Sequence, residues 1–396
     1  MQSVAEARAR ILAALSPVAE ETVPLADAAG RVLARPIAAR LTQPPAAVSA
    51  MDGYAVRACD ARAGARLTMV GAAPAGHPFA GEVGPGQAVR IFTGAFIPPG
   101  ADAILLQEDA TPGPGDVRVD ETVEAGRWVR PAGLDFTLGD TLLMPGRRLR
   151  ARDIGLAAAA NHPWLTVRRR PRIGILATGD EIALPGDPLP PGGIVSSNAH
   201  ALAALVRAAG AEPVVLPIAP DDAGAIAALA LGARGCDMLV TTGGASVGEH
   251  DLVQQALGPQ GFVLDFWKIA MRPGKPLIWG RLGEVPMLGL PGNPVSALVC
   301  GVVFLLPALA VLAGLPAAET ATQAATAGAE LPANDGREDY LRCGMAGGVA
   351  TPYQRQDSSM LRALAQADAL MIRAPHAVAL RAGAAVRIID LAALGI

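Results

Sequence analysis

The fold is decided by one glycine-rich stretch, Thr241-Thr242-Gly243-Gly244-Ala245-Ser246-Val247-Gly248-Glu249-His250-Asp251. It follows the apolar run 238–240 and precedes apolar residues at helical spacing between positions 252 and 257. A strand that passes through Gly-Gly into a helix leaves backbone N–H groups free to converge on an anion. Threonine and serine hydroxyls in the turn add donors, and Glu249 and Asp251 add carboxylates that suit a hard cation. The alternative is an ordinary strand-to-helix turn in which Asp251 is an exposed first-turn acid.

Length and charge limit the possible classes of protein. A chain of 396 residues with 51% hydrophobic composition has room for two to four domains, each with its own core. The net charge of −3 predicts no nucleic-acid partner. Basic clusters at 147–152 and 168–172 contain no interleaved aromatic residues, so we interpret them as solvated flanks of strands.

Cysteine spacing and the N-terminus indicate a cytoplasmic protein. The four cysteines lie far apart, without a Cys-x-x-Cys pair, which argues against structural zinc and a disulfide framework. The first residues carry charge and do not resemble a signal peptide.

Residues 297–318 imitate a membrane span, because they are uncharged and long enough to cross a bilayer. However, Pro307 interrupts the run, basic flanks are missing, and a Pro-Gly-Asn-Pro turn typical of a helix start precedes it. We therefore predict a buried helix of a globular domain and no membrane partner.

The first 168 residues predict a helical region interrupted by a β-rich insertion. Helices are expected at 2–15, 25–29 and 151–160, which assigns 1–38 and 138–168 to a discontinuous helical domain. Between them, residues 39–137 contain short strands, such as 68–70, 87–91 and 103–106, separated by Gly/Pro turns. Within this insertion, Asp52-Gly53 is also a common hairpin-turn dipeptide.

From residue 169 to 318, strands and helices alternate, which predicts an α/β domain with a parallel sheet. The expected strands are 173–177, 214–218, 238–242, 277–279 and 287–290, with helices at 199–209, 223–233 and 249–257. Ligands of such sheets bind at the carboxyl ends of strands, where three polar clusters fall: 178–181, the glycine-rich stretch and 291–296. This coincidence favours a binding site over turn chemistry alone.

Residues 319–396 predict a small terminal β domain, with strands at 339–342, 350–352, 378–380 and 386–389.

Six motifs in order identify a family. They are Ser49-Ala-Met-Asp-Gly-Tyr-Ala-Val56, Thr93-Gly94-Ala95, Thr178-Gly-Asp-Glu181, Thr242 to Asp251, Lys268 through Pro-Gly-Lys275-Pro276, and Leu290-Pro-Gly-Asn-Pro-Val-Ser296. With them, essentially the whole chain resembles the molybdopterin molybdenumtransferases, the molybdenum-inserting enzymes related to the insertase domain of gephyrin.

The resemblance implies a molybdopterin-binding α/β domain, a β-barrel-like C-terminal domain and an elongated homodimer. The cleft would lie between the β insertion of one subunit and the α/β domain of the other. The implied reaction takes adenylated molybdopterin and molybdate, releases AMP with the help of Mg²⁺, and yields molybdenum cofactor. Other proteins of this biosynthesis are expected as further partners.

The same resemblance assigns site residues, and the anionic substrates suit their chemistry. Glu181 and Asp251 would hold the metal, and the catalytic set is Asp52, Thr93, Glu181, Asp251, Lys268, Arg272 and Lys275. Substrate binding falls to Thr178, Gly179, Asp180, Thr242, Gly243, Gly244, Ser246, Gly248, Pro291, Gly292, Asn293, Pro294 and Ser296. Weaker assignments are Asp135, Asp221, which equally predicts a helix cap, and Arg130, which equally predicts a surface arginine.

Ordinary structure competes with function at two further places. Asn293 and Pro294 also follow the pattern of a helix start, with Asn293 as cap. His250 lies in the glycine-rich stretch but belongs to no ligand set, so core or surface placement is favoured.

Three departures from the family pattern stand out. Ala46-Ala47-Val48 replaces the usual Phe-Asp-Asn, Arg272 stands where lysine is common, and Asp357-Ser358-Ser359 replaces a more Gly-rich pattern. A guanidinium binds oxyanions differently from an ammonium group, so the second departure touches the chemistry directly.

Two rival functions remain. A molybdopterin adenylyltransferase shares the α/β domain, but the regions before residue 169 and after residue 318 argue against it. A non-catalytic carrier of the pterin or its cofactor is disfavoured by Asp52, Glu181 and Asp251, since a binder of polyanions gains nothing from three carboxylates unless a metal is present.

Overall fold

The structure is a computed structural model that describes residues 1–243 and 252–396. The chain begins with helix α1 (Val4–Ala13), which is shorter than the predicted 2–15. Ser3 and Glu6 form a capping box: the Ser3 hydroxyl accepts a bond from the Glu6 N–H, and the Glu6 carboxylate accepts one from the Ser3 N–H. Strands β1 (Glu20–Pro24) and β2 (Ile37–Ala38) follow, and the predicted helix at 25–29 is a single 3₁₀ turn, Leu25–Asp27.

The predicted β-rich insertion is confirmed as a region of short strands. They are β3 (Val48–Ser49), β4 (Gly53–Val56), β5 (Arg66–Ala73), β6 (Gln87–Ile91), β7 (Ala103–Leu106), β8 (Ala110–Pro112), β9 (Asp116–Val119) and β10 (Val129–Arg130). Six of them form one sheet in the order β7-β4-β6-β5-β9-β8. Strand β4 lies inside the sheet and is buried on both faces, because Tyr54 and Val56 join one apolar cluster and Ala55 joins another. Asp52-Gly53 is not a hairpin turn, since β4 pairs with β6 and β7 and β3 pairs with β10.

The chain then returns to its first segment. Strand β11 (Thr141–Leu143) pairs with β2, and β12 (Trp164–Arg168) pairs with β1. Between them lies helix α2 (Ala151–Ala159), in which the buried Asp153 carboxylate accepts bonds from Arg147 and the Arg150 N–H. These pairings join the two ends of the region that the insertion interrupts.

The α/β region contains the sheet that organises the molecule. Its elements are β13 (Arg172–Ala177), β14 (Ile182–Ala183), β15 (Ile194–Val195), α3 (Asn198–Ala208), β16 (Glu212–Val215), α4 (Ala223–Ala230), β17 (Met238–Thr242), α5 (Leu252–Leu257), β18 (Phe262–Trp267), β19 (Met271–Arg272), β20 (Ile278–Leu282) and β21 (Val285–Leu290). The strand order is β16-β13-β17-β21-β20-β18. The beginning of the predicted helix 249–257 falls outside the described residues.

The predicted parallel sheet is confirmed for four strands, and one antiparallel strand, β20, adds two further pairings. β16, β13, β17 and β21 run parallel, but β20 is antiparallel to both β21 and β18. Only two residues separate β20 from β21, which is enough for a hairpin and far too short for the crossover that parallel neighbours need.

The apolar segment is a buried helix, as the sequence predicts. Helices α6 (Pro294–Cys300) and α7 (Leu306–Leu312) are joined by a π-helical stretch, Gly301–Leu305. This helix is long and apolar enough to cross a bilayer, but 83% of its most apolar window is buried inside the protein. Helices α1 and α3 pack against it, so it forms part of the central core.

The C-terminal region is a closed barrel of five strands, which confirms the predicted β-barrel-like domain. It contains β22 (Gln323–Ala327), β23 (Glu338–Ala346), β24 (Val349–Pro352), helix α8 (Leu361–Ala365), β25 (Ala369–Arg373) and β26 (Ala385–Asp390). The pairing of β23 with β25 closes the barrel, and β19 of the α/β region adds a parallel strand to β23. The predicted strand 378–380 makes only one isolated bridge, from Leu380 to Leu331.

We predict that Gly53→Ala destabilises the inserted sheet. A Cβ atom at position 53 would lie 2.1 Å from the backbone oxygen of Leu105, which cannot move without breaking the β4–β7 pairing. Overpacking of this kind costs about 1–3 kcal/mol. Thermal unfolding and hydrogen exchange of the β4 and β7 amides would measure the loss.

The matched control is Gly155→Ala, because Gly155 lies in α2 with open space around its Cα. This variant should keep or raise stability by about 0.5–1 kcal/mol. Equal stability of the two variants would contradict the proposed close approach.

Candidate functional site

A large cavity lies at the carboxyl ends of three neighbouring strands, β13, β17 and β21. Its volume is about 750 Å³. The three polar clusters expected on one rim do meet there, through Thr178, Glu181, Thr242, Gly243, Pro291, Gly292, Asn293 and Pro294. Two more lining residues belong to stretches that the sequence singled out, Pro276 after Lys275 and Ser359, which with Ser358 was a tentative assignment in the C-terminal region. The lining residues that no motif predicted are Ala177, Ile182, Ile194, Val195, Ser196, Ser197, Asn198 and Leu361.

Close backbone contact joins the first two loops. The Thr178 N–H donates to the Thr242 carbonyl at 3.1 Å, and Gly243 has a φ of +92°. A Cβ atom on Gly243 would lie 2.3 Å from the Thr178 carbonyl oxygen. Glycine is therefore required at this position by both its backbone conformation and the space available.

Side chains connect the third loop to the second. The Asn198 side-chain amide donates to the Thr242 hydroxyl at 2.9 Å and to the Gly292 carbonyl at 2.7 Å. The Thr242 hydroxyl in turn donates to the Pro291 carbonyl at 3.2 Å. Asn198 is the first residue of α3 and follows the polar pair Ser196-Ser197. That polar helix start at the binding edge of the sheet was the signal that would have identified it.

The third loop does start a helix, as predicted, but its asparagine does not cap that helix through its side chain. Pro294 is the first residue of α6, but the Asn293 side chain makes no capping bond. Instead, the Asn293 amide donates to the Ser358 hydroxyl at 3.1 Å, and the Val295 N–H donates to the Ser358 carbonyl. The C-terminal region thereby closes one side of the cavity. Ser296 is buried and is not among the lining residues.

Two hydroxyls at this edge are buried without a partner among the described residues, those of Thr178 and Thr241. Thr178 is 1% exposed and lines the cavity. A buried hydroxyl without a hydrogen bond costs about 1–3 kcal/mol, so a polar ligand in the cavity would recover that loss. Of the two, only Thr178 contributes to the lining.

The acidic residues divide between site and scaffold. Glu181 lines the cavity, and no described residue donates a hydrogen bond to its carboxylate. Asp180 instead accepts a bond from the Asp221 N–H at 3.0 Å. Asp222, not Asp221, caps α4, because its carboxylate accepts from the Ala225 N–H. Gly244, Ser246, Gly248, Glu249, His250 and Asp251 lie outside the described residues.

No group of three potential metal ligands occurs among residues 1–243 and 252–396. The expected metal pair of Glu181 and Asp251 has only its first member in that part of the chain. The donors present at the cavity, a carboxylate and a hydroxyl, are the oxygen ligands that Mg²⁺ prefers.

None of the three predicted cations, Lys268, Arg272 and Lys275, lines the cavity. The Lys268 ammonium lies 3.6 Å from the centre of the Trp267 ring, and its backbone has a φ of +67°. Lys275 is exposed beside the lining residue Pro276.

Arg272 is bound within the protein. Its guanidinium binds both carboxylate oxygens of the buried Asp339 and also contacts Asp335 at 3.4 Å. The pKa of Asp335 is lowered to about 2, mainly by its hydrogen bond with Arg337 and further by the charge of Arg272.

Asp52 and Thr93 form a separate unit on the inserted sheet, and neither lines the cavity of its own chain. The Thr93 N–H and hydroxyl both donate to one Asp52 carboxylate oxygen, at 2.7 and 2.8 Å. These bonds, the backbone one first, lower the pKa of Asp52, with a smaller contribution from Arg90. Asp52 is therefore an oriented carboxylate that is charged at neutral pH.

The Ala46-Ala47-Val48 segment, which departs from the family pattern, is held in place next to the Asp52–Thr93 pair. Val48 is buried in β3, and the Ala47 carbonyl accepts a bond from the Ile97 N–H at 2.9 Å. Backbone bonding thus fixes the loop without the polar side chains that the family pattern carries. Arg130 is exposed on β10, which agrees with a surface arginine.

Comparison with known families accounts for nearly the whole chain. The model of the MoeA N-terminal region (domain I and II) matches residues 2–161. The model of a probable molybdopterin binding domain matches residues 174–311, and that of the MoeA C-terminal region (domain IV) matches residues 324–391.

Individual relatives agree with these matches. The molybdopterin molybdenumtransferase of Nostoc sp. is 40% identical over 304 residues, covering 74% of this chain and 70% of that protein. Molybdopterin molybdenumtransferase 2 of Mycobacterium tuberculosis is 36% identical, covering 99% of this chain and 100% of that protein. The crystal structure of a molybdopterin biosynthesis MoeA protein from Pyrococcus horikoshii superposes with a TM-score of 0.86 at 28% identity, covering 98% of each chain.

We predict that Thr93→Val raises the pKa of Asp52 towards its ordinary value. The substitution removes the hydroxyl donor and keeps the backbone N–H donor, so only part of the downward pKa shift is lost. Carbon-13 NMR titration of the aspartate carboxyls would measure the change. Thr68→Val, on the same sheet, is the control and should leave the titration of Asp52 unchanged.

We also predict that Arg272→Ala destabilises the contact between the α/β region and the barrel. Leaving the buried Asp339 without its partner should lower the free energy of unfolding by about 1–3 kcal/mol. Arg272→Lys should recover only part of this, because an ammonium group cannot make two parallel bonds to a carboxylate.

The control is Arg281→Ala, which removes an exposed ion pair with Glu284 and should cost at most about 1 kcal/mol. Unfolding in denaturant would measure the stability of Arg272→Ala and Arg281→Ala, and hydrogen exchange of the β23 amides would show whether the loss is at this contact. An Arg272→Ala protein as stable as the control would show that Arg272 does not hold the two regions together.

Proposed function

Because the chain belongs to the MoeA family and is thereby a molybdopterin molybdenumtransferase, we propose that the cavity at the ends of β13, β17 and β21 is its substrate site. The substrates would be adenylated molybdopterin and molybdate, and the products AMP and molybdenum cofactor. The observation that carries the proposal is the meeting of three polar loops around a cavity that contains the buried Thr178 hydroxyl, which has no hydrogen-bond partner among residues 1–243 and 252–396.

The loops suit the phosphoanhydride of the substrate. Gly243 brings its backbone close to Thr178 without side-chain bulk, and α6 begins at the third loop with its N-terminus at the cavity. A helix N-terminus favours negative charge. In the cleavage step, water would form a new bond to one phosphorus as the bond from that phosphorus to the bridging oxygen breaks. AMP and the pterin phosphate would separate, and the proton that the water loses would pass to solvent.

Glu181 and the Thr178 hydroxyl would hold Mg²⁺ at this cavity, with Asp251 as the proposed further ligand. When bound, the cation would offset the negative charge that develops on the phosphate oxygens. Glu181 itself suits this task because its carboxylate lines the cavity and accepts no bond from the described residues. Lys275, beside the lining residue Pro276, and Lys268 would add positive charge for the phosphate or molybdate.

The inserted sheet is proposed to serve the site of a second subunit. Asp52 is charged, exposed in part and oriented by Thr93, yet it lies outside the cavity of its own chain. An oriented carboxylate without a local ligand suits a homodimer in which the insertion of one subunit completes the site of the other. We further propose a cytoplasmic location, other molybdenum-cofactor biosynthesis proteins as partners, and four domains with the boundaries expected from the sequence.

The two alternative functions, an adenylyltransferase and a carrier, each leave part of the chain or of its site unexplained. An adenylyltransferase requires only the α/β region, whereas the family matches extend over residues 2–161 and 324–391 as well. A carrier requires neither the charged Asp52 nor the free Glu181 carboxylate.

We predict that AMP release from adenylated molybdopterin depends on molybdate and Mg²⁺ and falls at least 100-fold in Glu181→Gln, since losing one stabilising group at a charged transition state typically costs on the order of 10²–10³ in rate. Glutamine keeps the size of the side chain and removes its charge. A direct assay of AMP on the purified chain would measure this.

Glu284→Gln, at a fully exposed glutamate, is the control and should behave as the unmodified chain does. Tight binding of the pterin without AMP release would support the carrier. Formation of adenylated molybdopterin from ATP would support the adenylyltransferase.

A further inference from the structure

The side chain of Asn198 connects segments that are far apart in the sequence. It lies at the start of α3, and its amide reaches Thr242 at the end of β17 and Gly292 in the third loop. Residues 292 and 293 are exposed, and Pro291 and Pro294 cannot donate backbone hydrogen bonds. The loop therefore has few bonds of its own to fix its position against the sheet.

We infer that Asn198 is a positioning residue, which holds the loop of residues 291–294 in the geometry that binds the phosphate end of the substrate. The inference rests on the proposed function of the cavity. Asn198 acts through the loop, and its own contribution is to fix the distance between that loop and β17.

The hydrogen-bond network determines which way the amide faces. The Gly292 carbonyl can only accept, so the Asn198 group 2.7 Å away from it must be the NH₂ group. The Thr242 hydroxyl donates its proton to the Pro291 carbonyl, so it accepts from the same NH₂ group. Both amide protons are thus used: one holds Gly292 directly, and the other holds the Thr242 hydroxyl, which itself donates to Pro291.

Because the NH₂ group faces the loop, we expect Asn198→Asp to displace the loop more than Asn198→Ala does. In Asn198→Asp, a carboxylate oxygen would face the Gly292 carbonyl, so two acceptors would repel each other and the loop would move away. In Asn198→Ala, both bonds are lost but nothing repels the loop. A residue that merely filled space would show the opposite order, because aspartate keeps the shape of asparagine.

The first test measures the loop without substrate. Hydrogen exchange of the buried Val295 amide, which follows the loop and donates to the Ser358 carbonyl, should become faster in Asn198→Ala and faster still in Asn198→Asp. His200→Ala, at an exposed position of the same helix, is the matched control and should leave this amide unchanged. Unchanged exchange in Asn198→Asp would overturn the inference, whatever the activity of the protein.

The second test measures adenylated molybdopterin in the same variants. The KM should rise about tenfold or more in Asn198→Asp and less in Asn198→Ala, with a smaller change in kcat, because each tenfold step corresponds to about 1.4 kcal/mol of binding. Equal KM values in all variants would overturn the positioning role. Absence of AMP release in the unmodified chain would instead contradict the proposed function, so the two failures are distinguishable.

A pH series adds a readout that general damage to the fold would not produce. A protonated aspartic acid can donate one hydrogen bond, so binding by Asn198→Asp should recover as the pH falls towards about 4, while Asn198→Ala should show no recovery. Glu181, the charged lining residue, is present in every variant, so its effect cancels when each variant is compared with the unmodified chain at the same pH. Parallel pH profiles for the two variants would contradict the assigned orientation of the amide.

Discussion

The parallel pairing of β13, β17 and β21 is the constraint on which the rest of the molecule depends. It brings the residues after Ala177, Thr242 and Leu290 to one edge of one sheet, although more than a hundred positions separate the first from the last. The strands can lie this close only because Gly243 leaves room for the Thr178 carbonyl. Everything else at the cavity, including the buried hydroxyl of Thr178, follows from that approach.

The surroundings of the sheet stabilise this edge. The apolar helix that begins at Pro294 is buried along most of its length, which fixes the third loop at its C-terminal end. Asn198 and Ser358 fix the same loop from two other sides. The loops around the cavity are thus held in place by a buried core, which is the arrangement expected of preorganised sites.

The sequence predicted the region types and the shared rim because both depend on local patterns. Alternating strands and helices identified the α/β region, and the Gly-rich turns at strand ends located the cavity. The direction of β20 was not predicted, although a two-residue link to β21 allows only an antiparallel hairpin. Strand β22, Gln323–Ala327, was missed because its alanines have weak strand propensity and are held by barrel neighbours distant in sequence. The partner of Arg272 was also hidden from the sequence, since Asp339 lies 67 positions away.

The barrel and the α/β region share more than a covalent link. Strand β19 belongs to one by sequence and to the sheet of the other by hydrogen bonding, and Arg272 within it neutralises the buried Asp339. A fragment that begins at residue 319 would therefore lose one edge strand and leave a carboxylate buried without a counterion. The boundary between the two regions in the sequence is thus not a boundary between independent folding units, and the barrel is better regarded as an extension of the α/β region than as an independent module.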